Sequence, residues 1–241
     1  VILALRSVPG ERTASAAPHH QLEEVRLLAP LRPGKYLAIG MNYARHVAEM
    51  GHAERPQHQY WFNKQPTCIN GPFHPIDPGV TEMLDDEVEL GVVIGRAAKG
   101  VKAVDALDHV FGYLVANDVS ARDWQKHSPT FTMGKSFDTH GPIGPWIVTA
   151  DEIPDPQALG LRCLVNGEVR QQSNTSDMSF TVAEQIEYLS TAFTLEPGDL
   201  LATGTPEGVG AAMDPPGFLK PGDVVRCEID GIGAIENRVA G

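Results

Sequence analysis

The sequence predicts a mainly β protein with short helices, of the α+β class. Three observations carry this. Strand-like runs outnumber helical ones along the 241 residues. They are joined by turns such as Pro197-Gly198-Asp199 and Pro221-Gly222-Asp223, not by regular crossover helices, which argues against a doubly wound or barrel α/β fold. The best helix is Val182 to Thr194, with Val182, Ile186, Leu189 and Phe193 on one stripe.

Taken in order, residues 1–34 are weakly patterned and rich in Ala, Pro and Arg, and read as an N-terminal remnant or linker ahead of a domain over 35–241. Lys35 to Ile39 is a short apolar strand, and Tyr43 to Met50 a short helix ended by Gly51. Tyr60 to Lys64 is a strand. Pro66 to Gly79 holds Gly71-Pro72, Pro75 and Asp77-Pro78 and reads as loop. Asp85 to Gly95 reads as one strand. Val104, Leu107 and Val110 have helical spacing. Phe111 to Ala116 is an apolar strand that runs out at Asn117-Asp118. Ser120 to Lys126 reads as one or two helical turns capped by Ser120 or Asp118. Gly141-Pro142 and Gly144-Pro145 bracket a turn before a strand from Trp146 to Thr149. Asn166-Gly167 joins Leu161–Val165 to Glu168–Gln171 as a hairpin. Leu200 to Thr203 and Val224 to Ile229 are strands, and Asp230-Gly231 turns into a last one from Ala234 to Val239.

The formal charge of −12 argues against nucleic acid or an anionic membrane as partner, and no apolar run approaches a membrane span. Cys68, Cys163 and Cys227 are widely spaced with no C-x-x-C, which suits unpaired thiols in a reducing compartment. No charged-then-apolar leader follows Val1, so the expected location is cytoplasmic.

The chemistry centres on the acidic strand. Alternate strand residues share a face, so Glu87 and Glu89 point one way and Val88 and Leu90 the other. Two carboxylates at the mouth of a buried strand repel each other and lose hydration; a divalent cation between them resolves both problems. Alone, the segment also fits a solvated strand end. Asp118, at the end of a neighbouring strand, fits a cap or a third hard oxygen ligand. Three carboxylates without paired His or Cys suit Mg²⁺ or Mn²⁺, and suit Zn²⁺ poorly.

His46 and Glu49 are three apart on a helix and share a face. A carboxylate on one imidazole nitrogen fixes the tautomer and raises the basicity of the other, which makes a general base for water; the pair also fits an amphipathic surface. Lys135 follows Gly134, but Pro129 stands where a phosphate loop needs Gly. It can balance the acidic cluster, neutralise an oxyanion, or be an ordinary surface lysine. Gly204-Thr205-Pro206-Glu207-Gly208-Val209-Gly210 is a tight loop whose N–H groups can bind a carboxylate. His127 and His140 stay open as residues near the site, and the other histidines lack metal-like spacing.

Six segments in unbroken order resemble the fumarylacetoacetate hydrolase family: Asn42-Tyr43-x-x-His46-x-x-Glu49, Glu87-Val-Glu89-Leu-Gly-Val-Val-Ile-Gly, Asn117-Asp118-Val-Ser-Ala-Arg122-Asp-Trp-Gln125, Gly134-Lys135-Ser136-Phe137-Asp138, Val165-Asn166-Gly167 and Gly204 to Gly210. The chain resembles the short bacterial-type members, similar to acylpyruvate and fumarylpyruvate hydrolases and 2-hydroxyhepta-2,4-diene-1,7-dioate isomerases, more than the long eukaryotic fumarylacetoacetase. It implies a mixed, twisted β-roll, a homodimer, and a Mg²⁺ or Mn²⁺ site held by Glu87, Glu89 and Asp118. It also implies that His46 and Glu49 activate water, with Lys135 in the active site and Arg122, Gln125, Thr205 and Tyr43 as substrate contacts. The expected reaction is metal-dependent hydrolysis of the C–C bond of a 2,4-dioxo acid, with a small 2-oxo acid as the partner molecule. Isomerisation or hydration of an unsaturated 2-oxo-diacid, oxaloacetate decarboxylation, and a non-catalytic metal-binding role are the alternatives. The neighbourhoods of Arg45, Gln59, Tyr60, Arg122 and His140 can read a second carboxylate, which favours a diacid.

Overall fold

The structure, a computed structural model, describes residues 24–52 and 54–241. Most of the expected N-terminal linker, residues 1–34, lies outside the described residues. Strand outweighs helix, 34% to 21%, and the main sheet curls into a half-barrel, the mainly β roll that the sequence predicts.

The strands in chain order are β1 (Tyr36–Gly40), β2 (Tyr60–Lys64), β3 (Ile69–Asn70), β4 (Leu84–Asp85), β5 (Val88–Ile94), β6 (Val110–Asn117), β7 (Ser120–Ala121), β8 (Gly141–Thr149), β9 (Gly160–Val165), β10 (Glu168–Asn174), β11 (Leu200–Ala202), β12 (Val224–Ile229) and β13 (Gly233–Arg238). The helices are α1 (Ala44–Glu49), α2 (Ala103–Ala106), α3 (Arg122–Gln125), α4 (Thr132–Lys135) and α5 (Val182–Ala192). A seven-stranded sheet runs β2-β1-β11-β5-β6-β8-β3, and a four-stranded sheet runs β10-β9-β12-β13. The pairs β1–β11 and β3–β8 are parallel, and the others in these two sheets are antiparallel.

Strand alternation sorts the core. Leu90, Val92 and Ile94 of β5 and Tyr113 and Val115 of β6 face the larger apolar cluster, which also takes Leu161, Cys163, Val225 and Ile229 from the second sheet and Val182, Ile186 and Leu189 from α5. Val93, Leu114 and Ala116 face a smaller cluster with Tyr36, Phe62 and Ile143. All seven residues of β5 are therefore buried. By the same alternation Glu89 lies on the smaller cluster's face, as does Lys64, two residues beyond Phe62.

Several elements differ from the sequence reading. The expected strand from Asp85 to Gly95 is broken: β4 pairs with β7, and Asp86-Glu87 leave the ladder before β5 begins. Glu87 N–H donates to Asn117 Oδ1 instead, and its carbonyl accepts from Asp118 N–H. Gly141–Pro145 is not a turn. It belongs to β8, where Pro145 falls at a register shift opposite β6 between Tyr113 and Val115 and Pro142 stands opposite Asn70 of β3. The Pro66–Gly79 loop hides the two-residue β3. Neither Ser120 nor Asp118 caps α3; Ser120 is in β7 and its hydroxyl donates to the Asp118 carbonyl. Val104 and Leu107 are exposed, since α2 is one turn lying on α5 rather than an element with its own apolar face. Phe193 ends α5 in extended backbone, off the buried stripe. The hairpin at Asn166-Gly167 is as expected, with φ of 53° and 85°. Among the described residues no helix is long and apolar enough to cross a membrane.

Candidate metal centre

Glu87, Glu89 and Asp118 converge where β5 and β6 meet. Each offers a carboxylate oxygen within 4.8 Å of the others', and all three are buried. The break before β5 delivers Glu87, the strand delivers Glu89, and the end of β6 delivers Asp118.

Buried carboxylates need partners. Lys135 Nζ, at the end of α4, donates to Glu87 Oε2 at 2.7 Å and Asp118 Oδ2 at 2.8 Å. Lys64 Nζ, fully buried at the end of β2, reaches Asp118 Oδ1 at 2.5 Å and the His140 carbonyl at 3.0 Å. Arg122 Nε donates to Asp85 Oδ2 at 2.8 Å, and Nη1 to Gln125 Oε1 at 3.1 Å. Its Nη2 lies 2.7 Å from Glu87 Oε1, an ion pair by distance whose N–H direction falls off the hydrogen-bond line. Burial alone would raise Glu87, but the charges of Lys135, Arg122 and His46 hold it down to about 2. Glu89 differs. Among the described residues it receives one hydrogen bond, from Gly204 N–H at 2.8 Å, and touches no cation. Burial, then the charges of Asp118 and Glu87, push its carboxyl well above the usual range. Four carboxylates, counting Asp85, face three cations here, and the one without a counter-ion points into the cluster. That donor set fits a hard divalent cation.

The dyad is formed. His46 Nδ1 lies 3.0 Å from Glu49 Oε2, and Glu49 Oε1 accepts from Gly208 N–H at 2.7 Å. With Nδ1 held by the carboxylate, Nε2 is the nitrogen left for chemistry. One loop, Gly204 to Gly210, thus grips both a candidate ligand and the candidate base. It needs glycine: Gly204 has φ 96°, and a Cβ there would lie 2.7 Å from the Asn42 Cβ. Asn42 anchors the start of α1 with hydrogen bonds to the carbonyls of Thr203 and Phe180 and from Phe180 N–H.

Among the expected substrate contacts, Arg122 sits beside Glu87, and Gln125 accepts a hydrogen bond from Arg122. The Thr205 hydroxyl donates to the Val88 carbonyl at 3.0 Å and accepts from Gln171 Nε2 at 2.8 Å. Tyr43 is fully buried, and its hydroxyl has no hydrogen-bond partner among the described residues. His140 is buried beneath the site and His127 packs on Trp124. Sequence reasoning missed Lys64, and named Asp85 and Asn42 only as part of the acidic strand and the first motif, without these roles. The signal for Lys64 was alternation: it shares a face with Phe62, which a buried strand turns inward.

Residues 35–240 match the family domain described as fumarylacetoacetate hydrolase, C-terminal. The chain belongs to the fumarylacetoacetate hydrolase family. Among curated members, it is 50% identical over 219 residues to a mitochondrial oxaloacetate tautomerase of Xenopus laevis, covering 89% of this chain and 68% of that one. Among solved members, 2-hydroxyhepta-2,4-diene-1,7-dioate isomerase from Mycobacterium marinum superposes with a TM-score of 0.81 at 40% identity, over 93% of this chain and 81% of that one. Maleylpyruvate hydrolase from Sphingobium sp. SYK-6, solved with manganese(II) and pyruvate, gives a TM-score of 0.77 at 34% identity, over 91% and 75%. The family's relatives thus carry the names of hydrolases, isomerases and tautomerases, and one of them holds a divalent metal.

Proposed function

We propose that this protein is a divalent-metal-dependent enzyme that cleaves the C–C bond of a 2,4-dioxo acid, an acylpyruvate of the fumarylpyruvate kind, to pyruvate and a carboxylic acid. One observation carries the reading: a buried three-carboxylate cluster and a His–Glu dyad hang on the same loop. Glu87, Glu89 and Asp118 would hold Mg²⁺ or Mn²⁺, which supplies Lewis-acid neutralisation of charge on the 2-oxo acid's oxygens. His46 Nε2 takes a proton from water, while Glu49 holds the Nδ1–H. The hydroxide adds to the distal carbonyl carbon. Lys135 keeps one N–H beyond the two spent on Glu87 and Asp118, and offers it to the developing oxyanion. The C–C bond then breaks, its electrons stay on the pyruvate fragment, and protonation of that carbon completes pyruvate.

A second reading is proton transfer without cleavage, as tautomerisation of oxaloacetate or isomerisation of an unsaturated 2-oxo-diacid. The names of the Xenopus and Mycobacterium relatives favour it. Loss of enol ultraviolet absorbance from a panel of acylpyruvates, with Mg²⁺, with Mn²⁺ and with chelator, separates the two. Metal-dependent loss that yields pyruvate and the free acid supports hydrolysis. Turnover of oxaloacetate without release of pyruvate, or of an unsaturated diacid, with acylpyruvates untouched, replaces it with proton transfer.

A further inference from the structure

A substrate with a carboxylate at its far end needs a cation outside the metal cluster, and the structure leaves one in place. Of the five side chains that the sequence reading singles out for such a group, four are committed elsewhere. Arg122 serves Asp85, Glu87 and Gln125. Gln59 is held between the Glu184 carbonyl and Trp61 Nε1–H. The Tyr60 hydroxyl donates to the Pro129 carbonyl. His140 is buried, with Nε2 on the Asp77 carbonyl. Arg45 is different. It stands on α1 beside His46, its side chain is 76% exposed, and Nη1 lies 3.2 Å from Glu207 Oε1.

The position follows from the loop. Gly204 N–H holds Glu89, Gly208 N–H holds Glu49, and Glu207, between them, holds Arg45. Three residues of chain span at most about 10 Å, which bounds how far the Glu207 backbone lies from Gly204, the residue that grips the candidate ligand. Glu207 uses one edge of the guanidinium. No other hydrogen bond to a described residue engages Nε or Nη2, and that edge has the paired N–H geometry that fits a carboxylate. On a chain of charge −12, an exposed arginine at this point also draws an anion towards the site.

We infer that Arg45, pre-oriented by Glu207, is a specificity-determining residue that binds the distal carboxylate of a dicarboxylic 2-oxo acid. The inference rests on the 2-oxo acid reading above and narrows it to diacids. The test is calorimetric titration of the Mn²⁺-loaded full chain with 2-oxoglutarate and with 2-oxopentanoate, which ends in a methyl where the first has a carboxylate. Wild type should prefer 2-oxoglutarate. Arg45→Met should weaken 2-oxoglutarate by about 10- to 100-fold, the range for one charged pair, and leave 2-oxopentanoate within about twofold. Arg45→Lys should recover part of the loss, and Glu207→Gln should keep the preference. Equal effects on both acids, or a wild type with no preference, overturn the inference. The enol assay run alongside keeps the two failures apart. A selective binding loss without turnover of any 2-oxo acid sinks the proposed reaction and leaves Arg45 in its role.

Discussion

At the scale of single residues, His46 and His140 are both buried imidazoles near the acidic cluster, with opposite tasks. His46 has Nδ1 on a carboxylate and Nε2 available. His46→Ala should lower kcat by about 100-fold or more while KM changes little, since a general base acts only in the transition state. Steady-state kinetics check this, and a near wild-type kcat would remove His46 from the reaction. His140 is kept neutral. Burial, and next the Lys64 ammonium, bring its pKa from 6.5 down to about 4. The unfolded chain takes up this proton near pH 6.5 and the folded chain only near 4. The neutral ring therefore supports the fold above pH 6.5, and the support drains away as pH falls towards 4. That difference is worth about 3 kcal/mol. Urea unfolding at pH 7 and pH 4 should show wild type losing more stability than His140→Gln by roughly this amount; parallel pH profiles would refute it. The dyad was legible because residues three apart share a helix face, and the carboxylates because acidic residues cluster where two apolar strands end, although Glu87 itself stands just outside β5. Sequence reading left His140 open and missed Lys64, because their partners come from distant segments: Asp118 and the His140 carbonyl for Lys64, and Asp77 for His140.

At the scale of elements, the loop between β11 and the Gly210 turn does the positioning. Gly208 has φ 101°, and a Cβ there would fall 2.0 Å from the Arg170 carbonyl oxygen. Gly208→Ala must therefore shift the loop and pull its N–H from Glu49. We expect kcat to fall by about 10- to 100-fold, as misplacement of a base by an ångström does. Stability should fall by about 1–3 kcal/mol. A variant that folds, keeps the dyad and works at wild-type rate would show that the loop contact is incidental. Local pattern told where such elements lie only when local pattern decided them. The Asn166-Gly167 hairpin and α5, with its Thr181–Glu184 capping box, are set by nearby residues. β3 and β7 are two-residue strands that exist only through partners 70 or so positions away for β3 and about 36 for β7, which no local signal encodes. Gly144-Pro145 reads as a turn because a bulge can carry a proline that a regular ladder rejects.

At the scale of the molecule, the two sheets close over the larger apolar cluster and turn the charges to the other face of the main sheet, around the smaller one. The chain thereby buries Glu87, Glu89 and Asp118 together and supplies Lys64, Lys135 and Arg122 against them, which leaves Glu89 without a cation. Such a site costs stability until an ion arrives. A cation that binds only the folded chain stabilises it by about 2.7 kcal/mol at 100 times its Kd. For a chain of this size that is a rise in Tm of about 5–10 °C. Mn²⁺ or Mg²⁺ should produce such a rise in a thermal melt, and chelator should reverse it. Glu89→Gln should abolish the response, because the variant lacks one ligand. It should also melt no lower than the metal-free wild type, because the amide takes the place of a buried carboxylate that has no counter-ion. If wild type ignores both metal and chelator, the three carboxylates are a structural network balanced by their lysines alone, and the metal-dependent reaction falls with them.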